Sequence, residues 1–211
     1  MKVLVLCEDC AHPASLTVDG LKGLSRNDYE FTYVTDPAQC SPTRMAEFPV
    51  VAFSKANQTS ANDDTPWASD ETGQAFVDYV TGGRSVLFLH SGTALYKNLA
   101  TFRGLMGGCF VKHPPQCEVT VEPKERHDLT AGSGSFTLRD EHYIMEMYDD
   151  DIDVFLHTRS EHGTQPAGWS RFEGSGRVAV LTPSHNPDGW AQPSYQALLR
   201  NCLDWCAGNR R

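Results

Sequence analysis

At 211 residues, 40% hydrophobic and 21% charged, the chain has enough length and apolar content to bury a continuous core as one domain over residues 1–211. The net charge of −9 offers no basic face for neutralising phosphates, so a nucleic-acid partner is not expected. No apolar run approaches the ~20 residues needed to span a bilayer, so no membrane partner is expected either.

Residues 2–7 are apolar at alternate positions and read as a buried first strand, too short to serve as a signal peptide. The seven cysteines form an odd set without framework spacing, which together with that start predicts reduced thiols and a cytoplasmic location. Cys7 and Cys10 form a CxxC, and Cys202 and Cys206 sit four apart; both pairs read as small buried hydrophobes, with a structural zinc site as the lesser alternative. Residues 13–25 carry Leu16, Leu21 and Leu24 at helical spacing broken by Gly20 and Gly23, a poor helix. Residues 29–35 alternate as a strand, 48–54 form another buried strand, and the polar stretch 55–67 is a loop. Ser69 then caps a helix with Asp70 and Glu71 in its first turn and Phe76, Val77 and Val80 on its buried stripe. Gly82-Gly83 ends it.

The next segment is the most telling. An apolar run from Val86 to Leu89 stops at His90-Ser91-Gly92, and Ala94, Leu95 and Leu99 follow at spacing that predicts a helix through about Leu105. A strand that turns sharply into a helix presents the turn residue at the carboxyl edge of a parallel sheet, where such folds place their chemistry. That residue is His90, where cysteine or serine would serve as a nucleophile.

Beyond Met106-Gly107-Gly108 the rhythm changes. Residues 117–121, 136–147 and 153–158 read as strands without intervening helices, and 169–172 with 177–181 as a hairpin about Glu173-Gly174-Ser175-Gly176. A last helix over 193–206 buries Leu198, Leu199, Cys202, Leu203 and Trp205. The expected class is α/β, with a mainly parallel sheet and a strand-rich insertion.

There are eight histidines. His90 and His185 each follow a predicted sheet strand, so the shared rim of a parallel sheet would let them face each other. His113 stands in Val111-Lys112-His113-Pro114-Pro115, after the glycine pair. In Asp140-Glu141-His142-Tyr143, an extended chain puts Glu141 and Tyr143 on one face and Asp140 and His142 on the other; the pair with Glu141 is favoured for the site. His127 reads as a turn or helix-start residue, His157 as a core or face histidine of a strand, and His12 and His162 as solvated loop residues.

These residues resemble the ThuA-like (trehalose-utilisation) family, which shares the flavodoxin-like, class I glutamine amidotransferase-like fold. The resemblance rests on Gly83 through Ser91, Leu105-Met106-Gly107-Gly108 with Lys112-His113-Pro114, Asp140-Glu141-His142-Tyr143, Pro166-Ala167-Gly168-Trp169, Gly174-Ser175-Gly176-Arg177-Val178, Ser184-His185 and Leu203-Asp204-Trp205, in family order. It implies a three-layer sandwich. Where amidotransferases place a cysteine activated by a later histidine, His90 takes the cysteine position and His185 the histidine position. Thioester chemistry is therefore not expected. A cysteine amidase or protease using Cys109 or Cys7 is the lesser alternative.

The resemblance implies sugar metabolism, hence an enzyme acting on a glycoside or keto-glycoside by hydrolysis, elimination or isomerisation. His90, His185 and Glu141 are the expected catalytic groups, and His113, Ser91, Tyr143 and Trp169 the expected substrate contacts. Trp190 and Tyr96 could add flat faces for a sugar ring, and Arg159 with Glu161-His162 a substrate-facing rim. His90, His113 and His185 could instead hold a divalent metal, zinc or manganese, or the same groups could act without metal. A small-molecule sugar is the expected partner, and a homodimer is common for such folds. The competing reading is a non-catalytic sugar-binding or regulatory domain.

Overall fold

The computed structural model describes residues 1–24, 28–149 and 151–209. Its frame is a nine-stranded sheet whose order is unlike the order of the chain. β1 (Lys2–Cys7), β2 (Glu30–Val34), β3 (Val50–Ser54), β4 (Ser85–Leu89) and β11 (Gly176–Leu181) run parallel in the order β2-β1-β3-β4-β11. Beyond β11 the sheet continues antiparallel through β10 (Gly163–Glu173), β9 (Asp153–Ser160), β6 (Cys117–Pro123) and β7 (Phe136–Asp140). β3 and β4 are buried along their whole length, as expected for parallel strands covered on both faces.

Side-chain alternation divides the apolar residues between two cores. Val3, Val5, Ala52, Leu87 and Ala179 face α1 (Ala14–Lys22) and α6 (Pro193–Cys206), represented by Leu21, Leu198 and Cys202. Leu4, Leu6, Val51, Phe88 and Val180 face α2 (Pro42–Met45), α3 (Asp70–Thr81) and α4 (Ala100–Met106), through Met45, Phe76 and Phe102. The helix following β1 and the helices following β3 therefore cover opposite faces. That makes the β1–β3 boundary a crevice at the carboxyl ends of the strands. Among the described residues no helix is long and apolar enough to cross a membrane.

Several sequence expectations match these bounds. α6 spans the predicted 193–206. Ser69 caps α3, its side chain accepting the Thr72 N–H, with Asp70 and Glu71 in the first turn. Ser25, the predicted end of the poor helix, lies outside the described residues; α1 stops at Lys22. Gly20 has a packing reason, since a Cβ there would fall 2.1 Å from a ring atom of Trp190 on α5 (Pro187–Trp190).

Two segments depart from expectation. The helix predicted after His90 is only a 3-10 turn, His90–Thr93, and α4 starts at Ala100. Left-handed backbone at His90 and Leu95 prevents a continuous helix between them. The single strand predicted over 136–147 is two strands in different sheets: β7 ends at Asp140, and β8 (Ile144–Met147) pairs with β5 (Gly108–Lys112). Glu141, His142 and Tyr143 bridge the two sheets outside either strand.

Trp169, expected at a substrate, is instead fully buried in β10, and its indole N–H donates to the Met106 carbonyl at 2.7 Å. It is a core residue.

Gly176 supplies a stability test. A Cβ there would lie 2.0 Å from the Val80 carbonyl oxygen and 2.1 Å from that of Arg84, so backbone would have to move. Gly176→Ala should cost about 2–3 kcal/mol, read as a lower urea midpoint at unchanged slope. Gly104→Ala is the control: it lies within α4 with nothing within 4 Å of its Cβ. It should leave stability level or raise it by up to about 1 kcal/mol.

Candidate active site

Three non-glycine residues with positive φ follow the carboxyl ends of parallel strands: Glu8 after β1 (φ 78°), His90 after β4 (φ 42°) and Ser184 after β11 (φ 83°). Each such residue costs of order 1–3 kcal/mol, and such strain is found where a site must re-aim its chain. The turns here deliver His12, His90 and His185 to one point. Glu141 reaches the same point from the bridge after β7.

The polar atoms are close. His185 Nδ1 lies 3.0 Å from His12 Nε2, 3.3 Å from His90 Nε2 and 3.3 Å from Glu141 Oε2. Glu141 Oε2 is 3.4 Å from His90 Nε2. Tyr143 stacks on the His90 ring with centroids 4.3 Å apart and donates its hydroxyl to His90 Nε2 at 3.0 Å. His90 is 2% exposed.

Hydrogen bonds behind the cluster set the tautomers. His90 Nδ1 lies 2.8 Å from the Thr182 carbonyl, which can only accept, so that nitrogen carries the proton. His12 Nδ1 lies 2.7 Å from Asp9 Oδ1 and likewise donates. Both rings therefore turn an Nε2 lone pair inward. Asp9 is itself fixed, with Oδ1 accepting the backbone N–H of Ala11 and of His12 and Oδ2 accepting that of Ala56. Burial works to raise its pKa, but the His12 bond and charge together with those backbone bonds win and hold it well below the carboxylate range. Lys55, fully buried just past β3, donates to the Glu8 carbonyl.

Asp140 joins the two loops that carry Glu141 and His185. Its Oδ2 accepts the Ser184 N–H at 2.7 Å, and its Oδ1 accepts the N–H groups of His185 and Glu141, each at 2.9 Å.

These surroundings separate the titrating groups. Burial lowers the His12 pKa against the opposing Asp9 hydrogen bond. The bond to Glu141 raises that of His185. Desolvation of Glu141 is outweighed chiefly by the hydrogen bond from His185, so it is held below its ordinary range. Burial keeps the Tyr143 phenol protonated far above neutrality.

The expected meeting of His90 and His185 is therefore present, with Glu141 and Tyr143 beside them. Several expectations change. His12, expected to be a solvated loop residue, is buried and joins the cluster. It follows β1 as His90 follows β4, so the rim argument applied to the first strand would have found it. His113 lies outside the group of four that share a point: its Nε2 is 3.5 Å from Glu141 Oε1, its Nδ1 donates to the Pro114 carbonyl, and its side chain is 36% exposed. Ser91 and Tyr96 are fully buried, so neither offers an open face to a sugar ring. Arg159 is paired with Glu122 on the surface. Among the described residues the cysteine pairs do not gather into a zinc site: Cys7 contacts the Val34 carbonyl, Cys10 the Ser60 carbonyl, and Cys206 the Val86 carbonyl.

Fold and site together define an α/β protein with a histidine–carboxylate cluster at the carboxyl rim of a parallel sheet. The chain belongs to the ThuA family, described as trehalose utilisation, whose model matches residues 2–206. Among solved structures it is similar to a ThuA-like protein from Bacteroides uniformis ATCC 8492, with 20% identity, TM-score 0.75, and coverage of 98% of this chain and 91% of that one. A ThuA-like protein from Parabacteroides merdae ATCC 43184 gives 16% identity and TM-score 0.75, covering 99% and 90%. The beta-galactosidase from Rahnella sp. R3 gives 11% identity and TM-score 0.68, covering 96% of this chain and 31% of that one. At these identities the likeness is one of fold. No curated protein matches the sequence.

Asp140→Ala tests the joint between the loops. Leaving three backbone N–H groups without their acceptor should cost about 2–4 kcal/mol of stability. Hydrogen exchange at the Ser184 and His185 amides should accelerate beyond what global destabilisation explains; equal protection in both proteins would contradict the assignment.

Proposed function

We propose that the chain is an enzyme of sugar metabolism that acts on a glycoside or keto-glycoside, by hydrolysis, elimination or isomerisation, without a cysteine nucleophile. The observation that carries this reading is the convergence of His12, His90, His185 and Glu141 at the rim where a nucleophile would otherwise stand. Membership of a trehalose-utilisation family supports the substrate class. The same reading takes residues 1–211 as one flavodoxin-like, class I glutamine amidotransferase-like domain. Two cores on opposite faces of the parallel strands support that. We place it in the cytoplasm, with a small-molecule sugar as its partner.

The thiols fit poorly as nucleophiles. Burial pushes Cys109 up to about 12, and burial with the nearby Glu8 charge pushes Cys7 up to about 11. Imidazoles suit another chemistry. A ketone acidifies the hydrogen on the adjacent carbon, so one base and one group that polarises the carbonyl are enough to start elimination or isomerisation. His113, half-exposed at the mouth with its Nδ1 proton tied to Pro114, has Nε2 left for that proton, and Glu141 Oε1 beside it steadies the imidazolium that results. His185 is the donor for the substrate oxygen, and Tyr143, whose hydroxyl donates to His90 Nε2, holds that ring in place. Once the carbon is deprotonated, a glycosidic oxygen on the next carbon can leave.

The test is keto-glycoside turnover in D2O followed by NMR. Wild-type protein should exchange the hydrogen beside the ketone or release free sugar. His90→Ala and His113→Ala should each lower the rate by about 100-fold or more. Alkylation with iodoacetamide should leave the rate unchanged. Saturable sugar binding by wild-type protein with neither exchange nor cleavage would favour the non-catalytic binding domain instead.

A further inference from the structure

We infer that His12 Nε2, His90 Nε2, His185 Nδ1 and Glu141 Oε2 are the ligands of one divalent transition-metal ion of the zinc or manganese class. Each residue offers one ligand atom, and all four lie within 4.8 Å of one another. The individual separations are 3.0 Å for His12–His185, 3.3 Å for His90–His185, 3.3 Å for His185–Glu141 and 3.4 Å for His90–Glu141. Adjacent ligands held about 2.1 Å from a common centre are roughly 3.0 Å apart in octahedral and roughly 3.4 Å apart in tetrahedral geometry. These four spacings fall in the range of neighbouring ligands in a coordination shell.

The outer partners agree. A ligating histidine normally gives its other ring N–H to a carboxylate or backbone carbonyl, which fixes the tautomer and aims the lone pair at the metal. His12 does this through Asp9, and His90 through Thr182. Asp140 fixes the backbone at His185 and at Glu141. Without an ion the inward lone pair of His12 and the Glu141 carboxylate both converge on His185 Nδ1, and that of His90 accepts the Tyr143 hydroxyl, which has to turn away when an ion binds. A cation satisfies all four ligand atoms at once. Three imidazoles with a single carboxylate select a transition ion over calcium or magnesium, which prefer oxygen-rich shells.

His113 is not a ligand, which leaves it free at the mouth. An ion held by the four would polarise a sugar carbonyl or hydroxyl oxygen as a Lewis acid. The site is shared with the proposed sugar chemistry, but the inference does not need that chemistry, since metal content is read without substrate.

The experiment uses the full chain, purified without a polyhistidine tag from medium supplemented with zinc and manganese, then dialysed and analysed by plasma mass spectrometry. Metal near one equivalent is expected, falling to background in His12→Ala and His185→Ala, and retained in His113→Ala. Asp9→Asn should weaken zinc affinity about 10- to 100-fold in a competition titration against a chelator. His12→Gln, with circular dichroism on every variant, separates lost ligation from lost folding. Cobalt(II) added to apoprotein should give visible d–d bands that are absent from His185→Ala. Apoprotein that binds zinc and manganese no better than the His12→Ala/His185→Ala double variant would overturn the inference, as would loss of metal in folded His113→Ala. Bound metal without keto-glycoside turnover would count against the proposed reaction and leave the metal centre standing.

Discussion

The parallel register of β4 against β11 underlies the rest of the site. Leu89 is paired with Leu181, so the residues that follow them, His90 and Thr182, emerge side by side at the same edge. The Thr182 carbonyl then takes the His90 Nδ1 proton, and that bond decides which lone pair the ring shows to the crevice. Shifting the pairing by one residue would move His90 off this acceptor and exchange the side chains that the slipped strand sends to the two cores. The apolar packing that fixes the register therefore also fixes a tautomer.

Two buried carboxylates carry the other half of the design. Asp9 and Asp140 each hold several backbone amides, so their charges are spent on fixing loops. Glu141 differs, because among the described residues its oxygens meet the imidazoles of His90, His113 and His185. Its side chain is the carboxylate free for ligation or catalysis. An electronegative setting of this kind holds cationic imidazolium, or a cation, at the rim of an acidic protein.

Much of this was legible in the chain. The buried parallel strands announce themselves as apolar runs, and α3 and α6 through capping and periodicity, since these signals are local. The pairing of His90 with His185 was legible because parallel sheets align their carboxyl ends, a rule that needs no coordinates. His12 was harder to see: a histidine in a polar stretch is usually solvated, and only the contact between residues 173 positions apart brings it to His185. Trp169 misled for the opposite reason, because an indole beside a hairpin looks like a sugar platform until Met106 is seen to take its N–H. The break after Asp140 was hidden because the contacts around it, the amides of residues 184 and 185 on its carboxylate and the pairing of β8 with β5, are long-range.

The close fit of Trp190 over Gly20 reaches further than packing. Trp190 sits on α5, immediately after the loop of His185, while Gly20 sits on α1, immediately after the loop of His12. The indole thus packs together the helices that follow the two loops, tying the first portion of the polypeptide to the last. Any bulk added at residue 20 would displace the indole and with it the packing of α1 on α5, the helices next to the His12 and His185 loops.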